Sequence, residues 1–168
     1  MNILFIGSSA DWHVDLWTRY FSDKHKVYLF SDREQYLKNQ TYHNVKIIES
    51  EGLIGSILNL FKVKSHKLYQ LNKLISAHYY SKKIERCINE YAIDILHAHS
   101  LYYGYLSSFI KSDLPIVFTP MGSDVILHAQ SNIIYKHMSY RAFSRANIIT
   151  GDSILLQKKG YKVGARKL

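Results

Sequence analysis

Residues Ile116–Val125 read I-V-F-T-P-M-G-S-D-V, and the parsing of this stretch decides the fold. Ile116, Val117 and Phe118 have the pattern of a short buried strand. Thr119 and Pro120 end it, because proline holds its predecessor extended and offers no N–H to a ladder. Gly122 permits a tight bend or a close backbone approach, and Ser123 or Asp124 is suited to cap the helix that follows. A strand-end loop feeding a helix N-terminus presents unpaired N–H groups, which suits anionic or polyhydroxylated ligands. Open α/β sheets place their sites at such points.

Working outward, the same alternation repeats. Upstream, Asp113-Leu114-Pro115 is a turn, Tyr102–Ile110 a helix and Ile93–His97 a strand. Downstream, the spacing predicts a helical region over Ser131–Arg145, a strand over Asn147–Thr150 and a helix from about Ser153. At the other end, Asn2–Gly7 is an apolar run closing on glycine, and Ser8, Ser9 and Asp11 supply caps for a helix through Val14, Leu16, Trp17, Tyr20 and Phe21. Val27–Phe30 and Val45–Ile48 read as further strands around a polar, irregular Arg33–Asn44. Leu68, Leu71, Ile75, Ile84, Cys87, Ile88 and Tyr91 recur at helical spacing. Buried strands alternating with helices, without hairpin signals, imply right-handed crossovers and a parallel sheet. The expected fold is α/β: a Rossmann-like, doubly wound parallel sheet of about six strands with helices on both faces.

Composition narrows the class. A chain of 168 residues, 47% hydrophobic with two prolines and eight glycines, has the makings of one globular domain. Cys87 stands alone, so neither an internal disulfide nor a cysteine-based zinc cluster is expected, and a reducing cytoplasm fits. The M-N-I-L-F-I-G start is too short for a signal h-region, and no apolar run approaches the ~20 residues of a spanning helix. A soluble or peripheral protein is expected. Lys and Arg number 22 against 13 Asp and Glu, a formal charge of +9 that favours polyanionic partners. No nucleic-acid motif accompanies the charge, so nucleic acid is not an expected partner.

Several stretches carry candidate chemistry. Gly7-Ser8-Ser9-Ala10-Asp11 lies where such sheets bind phosphate, but Ser9 and Trp12 stand where G-x-G-x-x-G needs its later glycines. Asp32 imitates a ribose-binding acid, yet without the glycines a nicotinamide-dependent dehydrogenase is disfavoured. His97 and His99 share one face of a strand; a metal pair is conceivable, but no third ligand has metal-site spacing. His97 is expected to be packed or capping and His99, nearer the loop, to reach the cleft; the bland alternative for the first helix puts His13 at the surface and Trp12 and Trp17 in the core. A basic block runs through Lys62, Lys64, Lys67, Lys73, Lys82, Lys83 and Arg86 against Glu85, interleaved with Phe61, Tyr69, Tyr79 and Tyr80. Half of these cations against an anionic leaflet would give roughly 3 kcal/mol, a weak and salt-sensitive association. The alternative is a solvated helix face.

The motifs M-N-I-L-F-I-G-S-S, H-V-D-L-W, D-I-L-H-A-H-S-L-Y-Y-G, P-I-V-F-T-P-M-G-S-D-V and A-N-I-I-T-G-D-S occur in this order over nearly the whole chain. In this ordered set the chain resembles the N-terminal domain of GT-B glycosyltransferases of family 4. The resemblance implies the acceptor-binding half of a retaining enzyme. Such an enzyme moves a sugar from a nucleotide-diphosphate donor to a lipid, glycan or small acceptor, with no metal or other cofactor needed for catalysis. Position by position, Gly7, Ser8 and Ser9 match the loop facing the donor diphosphate. His13, Trp17, His99, Gly122, Ser123 and Asp124 match the acceptor cleft. Met121 stands where the family commonly has His or Trp, and a thioether offers no strong hydrogen bond.

The family continues into a second Rossmann-like domain carrying E-x7-E. The sequence ends at Lys167-Leu168, so the chain is expected to be a single acceptor-side domain, inactive without a donor-binding partner domain or chain. A role in surface polysaccharide synthesis, in the cytoplasm or at the inner face of the membrane, is the family-level expectation. The alternative is a non-catalytic acceptor-binding or membrane-docking subunit of a split transferase.

Overall fold

Side-chain alternation along β1 (Asn2–Ile6) sets up both layers of the core. Ile3 and Phe5 point to one face, where they pack with Val14, Val27 and Leu29. Leu4 and Ile6 point to the other, into a larger cluster with Phe30, Leu96, Ala98, Ile116 and Phe118. A strand buried on both faces is the mark of a central parallel strand. A computed structural model describes residues 1–31, 44–49, 66–129, 131–151 and 153–162, without the side chains of 49, 66–72, 157, 161 and 162.

Five more strands complete the sheet: β2 (Lys26–Ser31), β3 (Val45–Glu49), β4 (Ile95–His99), β5 (Ile116–Thr119) and β6 (Ile148–Ile149). All pairings are parallel, and the order is β3-β2-β1-β4-β5-β6. The described helices are α1 (Trp12–Ser22), α2 (His66–Glu90), α3 (Ser100–Ser107), α4 (Ile133–Arg145) and α5 (Ile154–Lys162), with a π-helix at Asp124–His128. Helix α1 covers the Phe5 face through Val14, Trp17 and Phe21. Residues of α2, α3 and α4 (Ile84, Leu106 and Phe143 among them) cover the other face. The expected six-stranded Rossmann-like sheet is what forms. Its order reverses between β1 and β4, and the crevice at that point, beyond the strands' C-terminal ends, is where doubly wound sheets bind ligands.

Some boundaries differ from expectation in ways that matter. The fourth strand is Ile95–His99 rather than Ile93–His97, because the Ile93 N–H bonds back to Ile88 O at 3.0 Å and closes α2. Pairing then extends to His99↔Thr119, so His99 is the last residue of the strand and α3 starts immediately after it. The short β6 still bonds over the expected span, Asn147 N to Ile116 O and Thr150 N to Phe118 O. Ile75 follows the apolar period yet is exposed on α2. Asp32, most of Arg33–Asn44, Phe61, Lys62 and Lys64 lie outside the described residues, as do the side chains of Lys67, Leu68, Tyr69 and Leu71.

Candidate functional site

Three strand tips meet at the switch point. At the first, the Gly7 N–H donates to Phe30 O at 3.2 Å. A Cβ on Gly7 would lie 2.7 Å from Val14 Cγ2 and 3.4 Å from His99 Cβ, so glycine lets α1 and β4 close on β1. Ser8 stays local, its Oγ accepting from Ala10 N at 3.3 Å. Ser9 turns inward: it is buried, its N–H reaches Ser31 Oγ at 3.1 Å, and Ser31 Oγ donates to Ser9 Oγ at 3.3 Å. Asp11 caps α1 by accepting from His13 N at 3.0 Å, and the same oxygen sits 3.0 Å from His13 Nδ1. The bland alternative of a core Trp12 does not hold, since Trp12 is exposed and stacks on His13 with ring centres 3.6 Å apart. Trp17 is half-buried.

At the second tip, His97 and His99 share the α1 face of the sheet. Their ring centres are 4.5 Å apart, with Phe5 and the edge of Trp17 against both. His97 Nε2 bonds Thr119 Oγ1 at 2.7 Å, and Thr119 Oγ1 in turn bonds Thr150 Oγ1. His97 is therefore packed and partnered, its pKa held well below the ordinary value by burial and by repulsion from His99. His99 differs. It is 1% exposed, and neither ring nitrogen has a hydrogen-bond partner. Burial lowers its pKa to about 4, with Asp11 pulling it up and His13 pushing it down. A buried polar group without a partner costs roughly 1–3 kcal/mol, the kind of debt a ligand can cancel. The next residue, Ser100, has φ of 67°, a left-handed backbone that costs a non-glycine roughly 1–3 kcal/mol and gathers at functional sites.

The third tip is closed by Asp124, and here the expected helix cap is corrected. The π-helix begins at Asp124 and its N-cap, Ser123, makes no side-chain bond. Asp124 instead reaches across to the neighbouring loop: Oδ2 accepts from Leu101 N at 2.8 Å and from Met121 N at 2.9 Å. One carboxylate thus caps α3 and ties the loop after β5 to the loop after β4. Burial raises its pKa, opposed by those two N–H groups and by the charges of His128 and Lys73. Gly122 is not forced by a close approach, because a Cβ there meets nothing nearer than Leu156 Cδ1 at 3.8 Å.

These contacts join Gly7, His99 and the Met121–Asp124 loop into one wall, with Asp11 and His13 near enough to shift the His99 pKa. Ser9 anchors the first tip through Ser31, and the Trp17 ring lies beside that of His99. The basic block divides. Lys73 belongs to the wall, its ammonium 5.3 Å from the Tyr102 ring centre and its charge felt at Asp124. Lys83 lies over Tyr79, while Lys82 and Arg86 are exposed further along α2. Sequence reasoning missed Lys73 in this role, and missed Thr150 and Ser31 as partners. Among the described residues no three His, Cys, Asp or Glu side chains converge as a metal-ligand set. A shallow concavity lined by Met1, Asn2 and Ser22–Lys26 lies at the other end of the strands. Among the described residues, no helix is long and apolar enough to cross a membrane.

Comparison with known structures gives the same architecture. The chain is similar to sucrose-phosphate synthase from Thermosynechococcus elongatus, with a TM-score of 0.71 and 10% identity over 100% of this chain and 47% of that one. It is also similar to HepE of Anabaena, solved in complex with UDP and glucose, with a TM-score of 0.64 and 15% identity over 99% of this chain and 42% of that one. The chain therefore spans about half the length of these structures. No curated protein sequence matches it. The model of the glycosyl transferase 4-like family matches residues 2–153, and the chain belongs to that family.

Proposed function

We propose that this chain is the acceptor-binding half of a retaining glycosyltransferase, which passes a sugar from a nucleotide-diphosphate donor to a lipid or glycan acceptor in surface polysaccharide synthesis. The observation that carries the proposal is His99: a buried imidazole with both nitrogens unpartnered, at the switch point, between Gly7 and the loop clamped by Asp124. In this reading His99, His13 and the Met121-Gly122-Ser123 backbone line the acceptor side, and Gly7-Ser8 faces the donor diphosphate. Ser9 holds the turn through Ser31. Catalysis needs no metal or other cofactor.

The donor-binding half is a second domain or chain. The relatives' extra length supports this, as do Ile126, Leu127, Ile133, Ile154 and Leu155, large apolar residues exposed on the π-helix and in the first turns of α4 and α5. Without that half, transfer is negligible, because the groups that would stabilise the leaving diphosphate are missing. The chain works in the cytoplasm. Contact with an anionic membrane surface is a weaker addition, resting on the exposed Lys82 and Arg86.

The test is a transfer assay combining the chain with a donor-binding half, nucleotide-sugars and lipid or glycan acceptors, in wild type, His99→Ala and Gly122→Trp. Product that depends on the chain and falls at least about tenfold in both variants supports the site, a loss of about 1.4 kcal/mol in transition-state binding. Product formed at an unchanged rate in both variants rejects it. Liposome sedimentation tests the membrane: binding should weaken with salt, and no binding even at low salt removes that part.

A further inference from the structure

His99 raises a question of access. Its ring is 1% exposed, and both nitrogens are shut off from solvent as well as unpartnered. A group placed to meet a ligand must first be uncovered. Core rings press on it from several directions: His97 at 4.5 Å between ring centres, Phe5 and Trp17 each at 5.9 Å. Close-packed neighbours of this kind do not give way readily. Among the described residues, the turn that enters α1 is the other neighbour, for the charges of Asp11 and His13 both act on His99.

That turn is built to move as a short unit. Its two ends are fixed. Ser9 is fully buried and bonded to Ser31, and Val14 is fully buried among Ile3, Phe5, Val27 and Leu29. Between them Ala10 and Trp12 are exposed, and Asp11 and His13 are half-buried. What holds the middle is local. One Asp11 oxygen lies 3.0 Å from both the backbone nitrogen and Nδ1 of His13, and the Trp12 ring stacks on the His13 ring at 3.6 Å. Contacts of this partly exposed kind form and break at little cost.

We propose that Asp11, Trp12 and His13 form a latch over His99, which a ligand reaches only when the Trp12 and His13 rings swing out between the fixed points at Ser9 and Val14. This rests on the acceptor-side reading given above and adds how that side is opened. A ligand that satisfies the His99 nitrogens holds the latch open, because it supplies what the closed form leaves unmet. Trp12 is then a positioning residue: it acts on the site through the ring of His13.

The test is modification of histidines in the full chain by diethyl pyrocarbonate at neutral pH, read residue by residue from fragment masses. The reagent needs an accessible, uncharged ring nitrogen, so the rate at His99 follows the fraction of open latch. Trp12→Ala should raise that rate about two- to tenfold, the range that loss of one ring stack allows. His13→Ala, which removes the cover itself, should raise it at least as far. His97, bonded to Thr119, should stay protected in both. A His99 rate unchanged in both variants overturns the latch and leaves the acceptor reading intact, and a rise shared equally by His97 overturns it as general loosening.

Glucose, mannose and myo-inositol then serve as binding probes. Apparent affinity scales with the fraction of binding-competent form, so a probe that protects His99 should bind Trp12→Ala tighter than wild type by the factor seen in labelling. Faster labelling with no tighter binding overturns the latch as a barrier to ligand. If labelling quickens as expected but none of the three probes slows it in either chain, the acceptor reading fails and the latch stands.

Discussion

Replacing Asp124 tests how the wall is held together. Its Oδ2 accepts two backbone N–H groups, at 2.8 and 2.9 Å, from different loops. Hydrogen bonds to a charged acceptor contribute about 1.5–3 kcal/mol each, so removing both in Asp124→Ala forfeits about 3–6 kcal/mol. Part returns, because a buried carboxylate is itself costly, as its raised pKa shows. The net loss expected is about 2–4 kcal/mol, or roughly 5–15 °C in Tm for a chain of this size.

Asp124→Asn keeps an oxygen acceptor and removes the charge, so it should change stability by less than about 1 kcal/mol. The pH dependence separates the two effects. A carboxyl whose folded pKa lies above its unfolded one binds its proton more tightly when folded. Its contribution is therefore fully present below the unfolded pKa and is lost as pH rises through the folded value. Wild type should lose stability relative to Asp124→Asn as pH rises from the ordinary aspartate range. Urea unfolding across pH, with hydrogen exchange at the Leu101 amide, reads both. An Asp124→Ala variant within about 0.5 kcal/mol of wild type, with Leu101 protection unchanged, would refute the clamp.

Other consequences follow from the same geometry. His97 and His99 have folded pKa values below the unfolded one, so the unfolded state takes up protons first and stability should fall as pH drops from about 6.5 towards 4. For His99 alone the loss approaches about 3 kcal/mol, and urea unfolding of His99→Phe should show a shallower acid slope. Gly104→Ala places a Cβ 2.5 Å from Phe118, a fully buried ring wedged against Phe143, and should cost about 1–3 kcal/mol by thermal melting. Gly7→Ala drives a Cβ to 2.7 Å from Val14 Cγ2, so α1 must retreat. It should lower Tm by several degrees and shift the His99 ring resonances, whereas unchanged resonances would show that Gly7 does not set the spacing.

Much of the sheet was legible because strand and helix periods differ and this chain keeps them apart. Ile3 to Ile6 and Ile116 to Phe118 are apolar without a break, as strands covered on both faces must be. Proline at 120 marks the end of β5 correctly. The strand around His97 was placed two residues early, because Ile93 is as apolar as a ladder residue but serves to close α2. The strand's true end is His99, where pairing with Thr119 of β5 fixes its position.

The site was legible as a set of residue types at strand tips, and less so as a set of roles. Asp124 has the sequence of a cap, yet besides the Met121 N–H three residues back it holds the Leu101 N–H 23 residues back, a pairing no local pattern displays. Lys73 was hidden in a basic run because its separation from Lys82 depends on which way α2 runs. The Ser9–Ser31 and His97–Thr119 bonds each span 22 residues and join residues that are individually unremarkable.

The central claim is that the tips carrying Gly7, His99 and Met121 to Asp124 form one ligand-binding wall. Its most direct measurement is a backbone amide shift map of the chain titrated with uncharged sugars. The account predicts that Gly7, Ser100, Leu101 and Gly122 respond together with one affinity, and that His99→Gln abolishes the response. Shifts confined to Met1, Asn2 and Ser22 to Lys26, at the opposite end of the strands, would contradict it.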